Sequence, residues 1–197
     1  DPITFAKVLG EFLNAQGLND VHAVGNSMGG FIALEMARLG LVSRVTALSP
    51  GGFGTSTQRR ITIGVLRAVG YGIRPISSRI DALAKLPGVQ RLAGSLFFAK
   101  PMKLSRDEFV HALQMLAESP VFDKALSALA KAHFRGDTGV PTTIAWAEHD
   151  RVLPPNQLKH ALQVVPNARG VTLKGCGHVP TFDDPEQIAA LVLQEAT

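Results

Sequence analysis

Apolar positions along the chain fall into two textures. Over residues 2–17, Ile3, Val8, Leu9, Phe12 and Leu13 recur near helical spacing and Gly17 marks a stop, which predicts a helix. Asp1 before Pro2 matches an N-cap followed by proline at the first helical position. Residues 21–25 form a short apolar run of the length of a buried parallel strand. Gly29 and Gly30 lead into a helix over 31–39 closed by Gly40, and 45–48 reads as a second strand ended by Ser49-Pro50-Gly51-Gly52. The same alternation returns near the far end, with strands at 142–147 and 168–173 and helices at 156–164 and 185–194. Helix and strand alternating at this spacing predict an α/β fold, a parallel sheet with flanking helices.

The middle of the chain reads differently. Residues 53–138 hold helix-like stretches at 61–69, 76–86, 106–118 and 122–134, broken by Gly70, Gly72, Pro75, Pro87, Pro101 and Pro120, and no strand pattern. The expected organisation is a core of residues 1–52 and 139–197 with a helical cap, 53–138, inserted between two strands of one sheet. A chain of 197 residues is long enough for such a core and appendage.

Chemistry enters at Gly25-Asn26-Ser27-Met28-Gly29, a G-x-S-x-G pattern between a predicted strand and a predicted helix. A nucleophile elbow needs that setting: the sharp turn pushes the serine hydroxyl clear of the sheet. Small residues are expected on either side, and Gly25 and Gly29 meet that need. The Met28 backbone amide, at the start of the helix, is the expected oxyanion donor.

Serine needs a base, and the base needs a carboxylate to fix its tautomer. Asp150 follows the strand at 142–147, and His178 lies in Gly175-Cys176-Gly177-His178-Val179-Pro180 after the next strand. Glu148 competes with Asp150 as the acid; spacing to Pro154 favours Asp150. His149, His160 and His22 compete with His178, but His160 falls within a helix and His22 begins a strand. Asp183 and Asp184 read as the N-cap and turn of the last helix, and Cys176 as a packed small residue. In the insertion, Phe97, Phe98, Met102, Phe109, Met115 and Leu116 are candidates for an acyl pocket or plain core.

These motifs resemble the α/β-hydrolase superfamily. Trp146 to Pro154 is similar to its acid loop, the stretch from Gly175 to Glu186 to its histidine loop and final helix, and 53–138 corresponds to its cap. The resemblance implies a catalytic triad of Ser27, Asp150 and His178, with no metal and no organic cofactor. It also implies that the sequence supplies the last four of eight strands. The earlier strands, and the loop that carries a second oxyanion donor, are expected upstream of Asp1, so the chain reads as N-terminally truncated.

The implied reaction is hydrolysis of a small-molecule carboxylic ester or related acyl substrate through an acyl-enzyme. Gly25 to Gly30 also resembles meta-cleavage-product hydrolases, which break a carbon–carbon bond, although those enzymes commonly carry Trp where this chain has Val179. Serine at the elbow counts against the haloalkane dehalogenases and epoxide hydrolases of this fold, whereas hydroxynitrile lyases and cofactor-free perhydrolases reuse the same triad. A non-catalytic binding protein on a truncated scaffold is the alternative from another class.

Charge changes the picture little. Residues 59–106 carry ten Lys/Arg and one acid, against ten and fifteen elsewhere. A solvated face accounts for this more simply than a nucleic-acid or membrane surface. No apolar run reaches the length of a membrane span. The single cysteine excludes an internal disulfide and favours a reducing, cytoplasmic compartment.

Overall fold

The computed structural model describes residues 2–195. Asp1, and the N-cap expected there, lies outside them. The first half of the core comprises α1 (Pro2–Ala15), β1 (His22–Asn26), α2 (Met28–Arg38) and β2 (Arg44–Leu48). The insertion follows, with α3 (Ser56–Ile73), α4 (Ile80–Ala84), α5 (Val89–Gly94), α6 (Arg106–Glu118) and α7 (Phe122–Lys131). The chain then returns through β3 (Thr142–Ala147), α8 (Gln157–Val164), β4 (Arg169–Leu173), α9 (Pro180–Asp183) and α10 (Pro185–Glu195).

The four strands pair in parallel in the order β1-β2-β3-β4. Both faces of the inner strands are covered, which is why they read as apolar runs rather than as alternating ones. Ile144 and Trp146 enter the larger core with Phe31, Leu34 and Val45, while Ala145 and Ala147 pack on the other face with Leu48, Leu173 and Ile188. Burial of a side chain such as Leu34 or Ile144 contributes about 1.5–3 kcal/mol. In register, Asn26 pairs with Leu48, Leu48 with Ala145, and Ala147 with Leu173, so all four strands end on one edge.

Several predicted elements change. In α1 the buried positions are Pro2, Ala6 and Gly10, and Leu13 packs partly on the core. Ile3, Val8, Leu9 and Phe12, which carried the helical period, face outward, as does Val24 on the outer strand of the described sheet. The predicted stretch 61–69 extends to Ser56–Ile73. A capping box starts it: the Thr55 hydroxyl accepts from the Gln58 amide at 3.2 Å, and the Gln58 side chain accepts from the Thr55 amide at 2.9 Å. Gly70 is not a break but a packing site, where an added Cβ would lie 2.3 Å from the Phe122 ring.

The stretch 76–86 divides into a 3₁₀ turn, Arg74–Arg79, opened by Pro75, and the short α4. The stretch 122–134 ends at Lys131 because Ala132 turns extended and Phe134 leaves for the core. There the Phe134 amide donates to the Gly52 carbonyl at 3.2 Å, and its ring meets those of Phe31 and Phe53. The insertion also has a small core of its own around Ile80, Phe98, Leu104 and Phe109. No helix among the described residues is long and apolar enough to cross a membrane.

Candidate active site

Each candidate side chain leaves the sheet just past the end of a strand, on the edge where parallel α/β sheets carry their sites. Ser27 follows β1 with φ 57° and ψ −116°, a left-handed conformation that non-glycine residues rarely adopt. Three backbone bonds hold it there. The Ser27 amide donates to the Leu48 carbonyl at 2.9 Å, and its own carbonyl accepts from Phe31 at 3.1 Å and Gly51 at 3.0 Å.

The turn closes only because Gly25 lacks a side chain: a Cβ there would lie 2.2 Å from the Gly29 carbonyl oxygen. The second required glycine is Gly30, whose Cβ would lie 2.9 Å from the Gly25 oxygen and 3.1 Å from Pro50. Gly29, the position expected from the motif, has open space where a Cβ would go. The constraint therefore falls one residue later, where the helix crosses β1. Met28 opens α2, and first-turn amides have no acceptor within their own helix.

The structure brings Ser27, His178 and Asp150 into one hydrogen-bonded line. Nε2 of His178 lies 3.0 Å from Ser27 Oγ, and Nδ1 lies 2.8 Å from Asp150 Oδ2. An ionised carboxylate can only accept, so Nδ1 is the donor on that side. In the neutral ring Nε2 is then the acceptor for the serine hydroxyl. The second Asp150 oxygen accepts from the amides of Val152 at 2.9 Å and Leu153 at 2.7 Å. Both side chains of the pair are buried, so little water competes for these bonds.

The rival residues have other work. The Glu148 carboxylate accepts from the Gly175 amide and from Lys174, each at 3.0 Å, and bonds of that kind hold its carboxyl below the ordinary range. It pins the base of the histidine loop. His149 is exposed beside it. His160 Nδ1 donates to the Phe53 carbonyl at 2.6 Å, and His22 Nε2 meets the Thr46 hydroxyl at 2.9 Å. Cys176 is fully buried, and burial first, then Asp183 and Asp184, pushes its thiol up to about 11. Such a thiol stays protonated near neutral pH.

Three supporting residues lie outside the motif reading. Asn26, the variable position of G-x-S-x-G, donates from Nδ2 to the Leu48 carbonyl at 3.0 Å and to the His178 carbonyl at 2.9 Å. Ser49 has φ 41°, and its hydroxyl accepts from the Ala147 amide at 3.1 Å, bracing the end of β3. Asp183 is not the N-cap of α10. Asp184 fills that role, accepting from the Gln187 amide at 3.1 Å, whereas Asp183 is fully buried and turned toward the insertion. Spacing alone cannot separate two adjacent aspartates, because both precede the same helix. Among the described residues no group of three or more His, Cys, Asp or Glu is placed to hold a metal ion.

The insertion contains an apolar cavity of about 420 Å³, walled in part by Ile73, Ile80, Leu83, Leu96, Phe97 and Leu113. Of the six residues considered for an acyl pocket, Phe97 and Phe109 line it. Phe98 packs against Phe182, Leu116 packs on the larger core, and Met102 and Met115 point to solvent. One wall residue, Phe97, touches the histidine loop, and Ser95, next to the wall residue Leu96, touches the acid loop. The Phe97 carbonyl accepts from the Val179 amide at 3.0 Å, and the Ser95 carbonyl accepts from Arg151 at 3.0 Å. Part of the basic stretch is tied into the fold, since Arg74 pairs with Asp123 and Lys103 donates to the Asp183 carbonyl.

Comparison with known proteins agrees with this architecture. A family model described as the alpha/beta hydrolase family matches residues 2–191. The chain is 30% identical over 187 residues to epoxide hydrolase EphH of Mycobacterium tuberculosis, covering 91% of this chain and 87% of that protein. It is 29% identical over 203 residues to 2-hydroxy-6-oxononadienedioate/2-hydroxy-6-oxononatrienedioate hydrolase 1 of Dechloromonas aromatica, covering 98% and 67%. Among solved structures, the esterase EaEST from Exiguobacterium antarcticum superposes with a TM-score of 0.71 at 22% identity, covering 100% and 74%, a likeness of fold.

Proposed function

The chain belongs to the alpha/beta hydrolase family, and from that premise we propose that it hydrolyses carboxylic esters through an acyl-enzyme on Ser27. The observation that carries this reading is the buried line from Ser27 Oγ through the His178 ring to Asp150, at 3.0 and 2.8 Å. In the proposed cycle Ser27 Oγ attacks the ester carbonyl while Nε2 takes its proton. Asp150, held by two backbone amides, steadies the imidazolium without taking a proton itself. The Met28 amide donates to the oxyanion, a bond typically worth about 3–4 kcal/mol. The imidazolium then protonates the departing alkoxide, and Nε2 activates a water that cleaves the acyl–serine ester, releasing the acid and restoring the hydroxyl.

Nucleophile chemistry separates this reading from epoxide opening. Attack of a serine alkoxide on an epoxide carbon leaves an ether, which water activated by His178 does not cleave. A carboxylate nucleophile leaves an ester, which it does. Ser27 therefore suits acyl substrates better than epoxides, although one relative is named an epoxide hydrolase. We further propose that the insertion acts as a cap and that its apolar cavity takes the hydrocarbon part of the ester.

The likeness over 98% of the chain to a 2-hydroxy-6-oxononadienedioate hydrolase favours a second reading, hydrolysis of a carbon–carbon bond next to a ketone. Both readings use the same base. One experiment tests them in sequence. The chain is treated with a fluorophosphonate, the adduct is located by mass spectrometry, and turnover is measured on ester and vinylogous diketone panels. An adduct on Ser27 that disappears in His178→Ala, with turnover of esters, is the expected outcome. Turnover of diketones alone transfers the assignment to carbon–carbon hydrolysis, and no adduct on folded protein sinks both.

A further inference from the structure

One buried carboxylate joins the insertion to the histidine loop. Asp183 is fully buried. Its Oδ2 accepts from the Gly177 amide at 2.7 Å and the Ala99 amide at 2.9 Å, and Oδ1 accepts from the Lys100 amide at 2.7 Å. Two segments remote in sequence thus share a single acceptor. Bonds to an ionised acceptor are the shorter and stronger kind, and these distances fit that class.

The contact is backbone against backbone. A Cβ on Gly177 would lie 2.6 Å from the Ala99 nitrogen and 2.8 Å from the Phe98 carbonyl carbon. On the far side of His178, the Val179 amide donates to the Phe97 carbonyl at 3.0 Å. The residues flanking His178 are therefore both fixed to 97–100. Its own carbonyl is held from the sheet side by Asn26. A base so tethered has little freedom to leave the Ser27–Asp150 line.

We propose that Asp183 is a positioning residue, which sets the His178 ring on that line and links its placement to residues 97–100 of the insertion. The inference rests on His178 being the base, as proposed above. An acceptor-only group is what the site demands, because three donors converge on two oxygens. In Asp183→Asn the amide nitrogen faces at least one N–H, so one of the three bonds becomes a donor–donor contact. The histidine loop and the 97–100 segment then part by a fraction of an ångström. A misplacement of about 1 Å at a reacting group lowers rate by roughly 100-fold.

Kinetics of Asp183→Asn on a short ester, with its fold checked by circular dichroism, test the rate effect. The expected result is a fall in kcat of about 10- to 100-fold with KM within about twofold of the parent. The acid limb of the kcat/KM pH profile moves as well, since the base now sits differently against Asp150. Folded variant with parent kcat and pH profile refutes the inference and leaves the ester reading standing. An inactive parent chain sinks the ester reading instead. Amide hydrogen exchange on the parent needs no variant and covers the case in which Asp183→Asn does not fold. Gly177, Ala99 and Lys100 are expected to show protection within about threefold of one another, as members of one opening unit. Gly177 exchanging more than about 100-fold faster than the other two overturns the linkage directly.

Discussion

The strand ends that carry Ser27, Asp150 and His178 and the helical insertion that packs against them are held together by different means. At the strand ends the contacts are made to the backbone. Gly25 meets Gly29, Ser27 bonds to Leu48 and Gly51, and Asp150 takes the amides of Val152 and Leu153. In the insertion side chains make the core, Ile80, Phe98, Leu104 and Phe109 clustering together and the Phe122 ring filling the space over Gly70. The insertion keeps an apolar cavity of about 420 Å³ and exposes Leu92, Met102 and Met115. Backbone contacts fix atoms to fractions of an ångström and forbid change, whereas side-chain packing admits substitution with small adjustments. On the proposed reading, reaction chemistry falls mainly to the first region and substrate range to the second.

Four substitutions probe that division. Asp150→Asn leaves the fold intact and lowers kcat on esters by about 10⁴-fold, because the imidazole loses its fixed tautomer; stopped or steady-state assays read this directly. Gly25→Ala drives a methyl into the Gly29 carbonyl, and neither backbone can yield. A loss of about 3 kcal/mol or more is expected in urea titrations. In the insertion, Ala84→Phe projects into the cavity and shifts ester preference toward short chains, by about tenfold in the ratio of kcat/KM for octanoate over acetate. Equal loss on both esters means that the cavity does not hold the chain. The smallest effect has the opposite sign to Gly25→Ala. Gly72 sits inside α3 with open space at its Cβ position, so Gly72→Ala gains about 0.5–1 kcal/mol. A loss there as large as at Gly25 would erase the contrast between the regions.

How much of this was readable in the chain follows the same line. All four strands were legible within a residue or two; the inner pair, β2 and β3, are buried along nearly all their length and read as apolar runs. The grouping of Ser27, Asp150 and His178 was legible because a triad of the proposed kind needs each residue type at a set place after a strand, and the three lie in one hydrogen-bonded line. The helices of the insertion were less so. Gly70 and Gly72 read as breaks, yet α3 runs through both, since a ring from α7 replaces the side chain that Gly70 lacks. The capping box at Thr55 was present in sequence, three residues apart from Gln58, and marks the true start.

Asn26 and Asp183 left no signal that spacing could detect. Their partners are main-chain groups of remote segments, and main-chain groups have no spelling in sequence. The period of α1 misled for a related reason. Bulky residues drew it, but small ones, Ala6 and Gly10, make the close approach; a Cβ on Gly10 would lie 2.8 Å from the Leu41 side chain.

The bond from the Ser27 amide to Leu48 governs where this chain can lengthen. Asn26 pairs with Leu48, and the elbow begins one residue beyond that pair. One residue added or lost within β1 or β2 would reverse every side chain beyond it across the sheet. The hydroxyl would then turn away from His178, and the Gly25–Gly29 crossing would open. Length changes are accommodated instead in the turn at 17–20 or within 53–138, where no strand pairing is counted. Loop grafts and changes in the insertion that keep residues 97–100, which hold Asp183, can therefore be made without re-registering the strands.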